Sequence, residues 1–127
     1  GTPDGRDAAH RYGFDAVRVP IRMAGACDRA SRDLAARLWP LLSGADEARL
    51  PRRLDGTPEP RAVRHAVALV GAAGAARAAG HDADAERLLT AAAAQDRAAP
   101  TYYGAAWVAL GRILLTTDLA GRCATAR

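Results

Sequence analysis

Residues 67–80 read VALVGAAGAARAAG, and a run like this leaves a chain few ways to fold. It is too apolar to sit in water and too poor in large side chains to form a core by itself. No strand pattern precedes it and it contains no Gly-x-Gly-x-x-Gly, so a phosphate-cradling loop is not the reading. The reading is a helix, with Val63, Val67 and Val70 leading into a Gly/Ala face over 71–76, packed closely by its neighbours. Aromatic residues make up only 5% of the chain, so the rest of the core must also be built from Ala, Leu and Val. Such side chains bury little area each, and stability accumulates slowly with length.

Other helices flank this one. A first is predicted over 14–28, with Asp15 at its start as a cap and Pro20 early, where its missing N–H costs least only if the helix starts a few residues late. A second starts near Ser31, capped by Ser31 or Asp33, and carries Leu34, Leu38, Leu41 and Leu42 at helical spacing until Pro40 kinks or splits it. Residues 44–60, GADEARLPRRLDGTPEP, form the longest connection. The Ala-rich helix itself is predicted over 61–79, with Gly80 as its stop. A fourth, capped by Asp82 or Asp84, runs to about Gln95 with Leu88 and Leu89 inward. Pro100 and Thr101 open a fifth over 102–116, with Trp107, Leu110, Ile113 and Leu114 inward. No segment passes the period-2 test for a strand. The expected fold class is all-α, about five helices in a single domain of 127 residues.

Charge and cysteine content exclude several functions. All 18 basic residues are Arg, and with the abundant Ala and Gly this reads as the composition of a GC-rich genome. The net charge of +4 permits a polyanion partner. However, the arginines are spread from Arg6 to Arg127 without interleaved aromatics, so nucleic acid is not expected. Cys27 and Cys123 lie far apart with no Cys-x-x-Cys, so no zinc site is expected; a disulfide between them would suit a secreted protein, but two buried free thiols are the preferred reading. His10, His65 and His81 are too scattered for a metal triad. Apolar stretches are broken well short of membrane-spanning length. The polar opening, GTPDGRDAAHRYG, is not a signal peptide.

The chemistry is concentrated in RYGFDAVRVPIRMA, residues 11–24. Asp15 lies three before Arg18, close enough to pair across one turn, and Arg18 and Arg22 share a helix face. By itself this describes a capping aspartate with a surface ion pair. The string Gly13-Phe14-Asp15-Ala16-Val17-Arg18, followed by an apolar, Arg-containing helix, resembles the G-Y-D-A-x-R motif of the family 8 glycoside hydrolases. Tyr102-Tyr103-Gly104-Ala105-Ala106-Trp107, opening an apolar helix, resembles the paired tyrosines of that family's last helix. Order and rough separation of the two segments also agree.

The resemblance implies an (α/α)6 barrel of twelve helices, of which this chain would be the carboxy-terminal part. It implies a secreted or periplasmic, inverting endo-β-1,4-glucanase that acts on cellulose or a related glucan without a cofactor. Asp15 matches the catalytic base and Arg18 the arginine beside it, with Phe14, Tyr12 and Tyr103 as substrate contacts. An inverting enzyme needs an acid for the leaving oxygen and a second carboxylate roughly 6.5–9.5 Å away to activate water. A helix start and Arg18 would both favour the charged form of Asp15. Phe14 stands where the family has Tyr, which removes a hydroxyl from the site. The family's acidic Glu lies upstream of the motif, and Glu47, Glu59 and Glu86 come after it. Taken alone, the chain is therefore expected to lack hydrolytic activity. The Ala-rich helix pair also fits a helical-repeat interaction module, and Phe14 fits a catalytically inactive relative.

Overall fold

The computed structural model describes residues 11–44 and 47–119. In chain order these form β1 (Arg11–Tyr12), α1 (Arg18–Ala24), α2 (Arg29–Arg37), α3 (Trp39–Leu42), β2 (Arg49–Arg53), β3 (Pro58–Arg64), α4 (Ala66–Ala78), α5 (Asp82–Ala98) and α6 (Tyr102–Thr116). The protein is thus mostly helical, with one small antiparallel sheet of order β1-β2-β3. His10 and Cys123 lie outside the described residues.

The Ala-rich segment is α4, and it is the hub. It packs against α1, α2, α3, α5 and α6, and every residue from Ala66 to Ala76 is buried. A helix enclosed on all sides is apolar all round, and small side chains are what allow five neighbours to reach it. The backbone of α1 comes close to it. A methyl group placed on Gly74 would lie 2.8 Å from the carbonyl atoms of Pro20 and 2.9 Å from the Ile21 nitrogen. Ile21, Leu50, Leu88 and Leu89 fill the larger gaps around the hub.

The sheet corrects the all-helical expectation. Residues 44–60 hold β2 and the start of β3, and residues 61–64 are the end of β3, so α4 begins five residues later than predicted. Val63 lies on a strand and is exposed, not on the α4 core face. The ladder shifts register between Leu50 and Arg52, where Pro51 supplies no N–H. Gly56 turns β2 into β3 at φ +94°. Together with β1 and this turn, the sheet carries six arginines against two carboxylates, which accounts for the whole +4 of the chain. Two of its cross-strand partners are like-charged, Arg11 opposite Arg53 and Arg49 opposite Arg64.

Helix ends also differ in detail. Asp15 does not cap α1. The cap position is Val17, with no side-chain bond, and Asp15 sits in the run of turns before it. Asp28 caps α2, accepting the Ser31 N–H at 2.8 Å; those bonds hold its carboxyl below the usual carboxylate range. Pro40 splits the second predicted helix into α2 and α3 and falls in the first turn of α3. Asp82 and Asp84 occupy the first turn of α5 behind a His81 that forms no side-chain cap. Gly80 ends α4 at φ +82°, and Thr101 caps α6 through the Gly104 N–H at 2.8 Å. On α6, Trp107 and Leu115 face inward, whereas Leu110 is exposed. Cys27 is disulfide-bonded and exposed, not a buried thiol. Among the described residues no helix is long and apolar enough to cross a membrane.

Candidate functional site

Asp15 reaches its position through two overlapping turns, Ala16 N–H to the Gly13 carbonyl and Arg18 N–H to the Asp15 carbonyl, that lead into α1. Its side chain is 94% exposed. Arg18 folds back over one turn, donating from Nη2 to Asp15 Oδ1 at 3.2 Å and from Nε to the Asp15 carbonyl at 3.2 Å. No described residue donates to Oδ2. The pair borders a shallow, open surface hollow of about 320 Å³ along one face of residues 15–23, together with Val19, Arg22 and Met23. Arg22 is anchored from below, its guanidinium 5.8 Å from the centre of the Trp107 ring, a cation–π contact between α1 and α6.

Phe14 and Tyr103 meet behind this hollow. The Tyr103 hydroxyl donates to the Phe14 carbonyl at 2.8 Å, tying the Asp15 turn to the first residues of α6. The Phe14 ring stands edge-to-face on His65 with 5.2 Å between centres, and Tyr103 packs against both His65 and Trp107. Each contact fixes the backbone on which Asp15 is mounted, and the Tyr103 hydroxyl is committed to that task.

Tyr12 lies elsewhere. It pairs with Arg52 in the sheet, and its hydroxyl is buried against Gly71 of α4 with no hydrogen-bond partner among the described residues. Burial raises its phenol well above the ordinary value, against a smaller pull downward from Arg52. The cavity beside it, bounded by Leu38, Leu42, Leu54 and Gly56, is about 40 Å³ and has room for a water or two, not a sugar. Of the five residues expected to form the site, two border the hollow, two support it from behind, and Tyr12 is part of the sheet packing.

Three residues outside the sequence-based set complete the support. His65 caps α4, its Nδ1 accepting the Val67 N–H at 3.1 Å. Its Nε2 lies 3.2 Å from Thr101 Oγ1, the cap of α6. Asp96, on the last turns of α5, acts electrostatically on the same ring. Its Oδ1 is buried without a hydrogen-bond partner among the described residues. Histidine is not among the favoured N-cap residues, so position 65 gave no capping signal ahead of the apolar run. Among the described residues no three His, Cys, Asp or Glu side chains gather where they could hold a metal ion. Compared with known protein families, with curated proteins and with solved structures, the chain finds no match.

Proposed function

We propose that this chain is the carboxy-terminal part of the catalytic domain of an inverting, family 8-type glycoside hydrolase, with Asp15 as the catalytic base. One observation carries the reading. Asp15 presents an exposed carboxylate at the edge of a shallow surface hollow, one oxygen tied to Arg18 and the other open to solvent. A base that activates water needs that arrangement. It must reach a water molecule, and it must be held against rotation by something other than the substrate. Arg18 provides the hold. Arg22 and Val19 continue the edge with a cation and an apolar surface, a combination suited to a hydroxylated ring face.

In the proposed reaction, a water in the hollow gives its proton to Asp15 as its oxygen attacks the anomeric carbon. An acid from another part of the protein protonates the departing oxygen, and the configuration at that carbon inverts. The polymer is a β-1,4-linked glucan, the export route is secretion or the periplasm, and the helices described here form part of a larger helical toroid. These features rest on the motif resemblance.

The Phe14 ring favours a second reading. It is turned onto His65, not into the hollow, so the position where the family carries a tyrosine hydroxyl offers none. An inactive relative that still binds glucan fits this. The protein expressed from its complete reading frame separates the two. Hydrolysis of carboxymethyl-cellulose, followed by reducing-end release and by the anomeric signals of the fresh product, is expected to show inversion. Asp15→Asn is expected to lower it roughly 10²–10⁴-fold, the usual worth of a positioned base. A retained configuration, or an unimpaired Asp15→Asn variant, would overturn the assignment. Glucan binding without any hydrolysis selects the inactive relative.

A further inference from the structure

We propose that His65 is an acid-released latch: in its neutral form it holds the starts of α4 and α6 to the turn at residues 13–17, and taking up a proton lets them part. The proposal goes beyond the glycosidase reading and does not depend on it.

The geometry fixes the tautomer. Nδ1 accepts the Val67 N–H at 3.1 Å, so it carries a lone pair and the ring proton sits on Nε2. From there it donates to Thr101 Oγ1 at 3.2 Å. That oxygen also accepts the Gly104 N–H at 2.8 Å, so one imidazole links the caps of two helices. Phe14 stands edge-to-face on the same ring, and the Phe14 carbonyl is held by Tyr103 of α6. Three chain segments, far apart in sequence, therefore converge on one side chain.

A second proton must go on Nδ1. That nitrogen then becomes a donor pointed at another donor, the Val67 N–H, and the cap of α4 is lost. Turning the ring to relieve the clash gives up the Thr101 bond and the Phe14 contact with it. The titratable groups that face the ring are Asp96 of α5, whose charge favours protonation, and Tyr103 of α6. Burial opposes protonation more strongly than Asp96 favours it, so the ring's affinity for a proton is lowered overall.

Amide hydrogen exchange of the 127-residue chain, resolved by NMR between pH 7.5 and 5 and corrected for intrinsic rates, tests this. Val67 and Gly104 are expected to lose protection together as pH falls. The loss levels off at about tenfold for each unit by which the closed ring's pKa lies below the open one. Resonances of residues 13–17 shift with the same midpoint. His65→Asn keeps a cap acceptor that does not titrate, and its protection at Val67 and Gly104 is expected to be flat over this range. An Nδ1–H tautomer for His65 at pH 7.5, protection that ignores its titration, or the same pH dependence in His65→Asn would each overturn the latch. None of these readouts involves Asp15 chemistry, so a failed glycosidase assignment leaves them unchanged.

Discussion

Asp15 pairs with Arg18 at the surface, its own side chain almost wholly in water and that of Arg18 about half exposed. Exposed ion pairs contribute little to stability, so substituting either residue is expected to leave the unfolding transition nearly unchanged, and any lost activity then reflects chemistry. The pairing follows from a spacing of three at a helix start and was legible in the sequence. The contacts behind it were not, because Phe14 and Tyr103 are 89 residues apart, a meeting no local pattern encodes. His65 has a thermodynamic consequence of its own. Its pKa is lowered on folding, chiefly by burial and against a smaller opposing effect of Asp96. The folded chain therefore binds fewer protons at this site than the unfolded chain, whose histidine titrates near 6.5. The stability it supplies is fully present above pH 6.5. It is lost as pH falls from there through the depressed folded value. Urea unfolding at pH 7.5, 6.5 and 5.5 is expected to show the wild type losing stability relative to His65→Asn as the solution is acidified. Parallel curves would count against it.

At the scale of elements, the helices announced themselves and the strands did not. In α6, Thr101, a cap three residues before Gly104, and the run from Tyr102 to Thr116 gave both ends within the sequence. In β2 and β3, RLPRR and PEPRAVR lack alternation and hold three prolines, which depress strand propensity. They pair nonetheless, since Pro51 falls at the register shift and Pro58 and Pro60 lie on an edge strand, where a missing N–H costs least. Arg64 faces Arg49 directly, and like charges so placed work against pairing. Replacing Arg64, an exposed residue, by Glu is expected to stabilise the protein by about 0.2–1 kcal/mol, read as a higher urea midpoint at low salt. Gly74 tests the opposite limit. In an open helix, alanine would be favoured over glycine by about 1 kcal/mol. Here the added methyl meets the backbone of α1, which cannot rotate away, and such overpacking costs about 1–3 kcal/mol. Gly74→Ala is expected to lower stability, and a gain would mean that α1 slides easily along α4.

For the molecule as a whole, the chain has a complete hub in α4, and on the proposed reading only half of a reaction centre. The hub is enclosed by the other helices, so the chain has a core of its own to support folding. The hollow is different. Inversion takes two carboxyl groups with a water and a sugar between them, and among the described residues Asp15 is the one carboxylate that lines it. Glu47 and Glu86 are engaged on the helical side, with Arg87 and Arg112, and Glu59 is on the sheet with Arg11. The 127-residue chain by itself is therefore expected to fold cooperatively yet release no reducing ends from carboxymethyl-cellulose, even at high protein concentration and long incubation. Azide, a small nucleophile that can stand in for the activated water, should not rescue it, because the step missing here is protonation of the leaving oxygen. An activated substrate whose leaving group needs no proton, such as a β-glucosyl fluoride, removes that requirement. If Asp15 is a base, the chain is expected to hydrolyse the fluoride slowly, and Asp15→Asn is expected to abolish that residual rate. Hydrolysis of the polymer by the chain alone would place an acid within the chain and overturn the division of labour proposed for it.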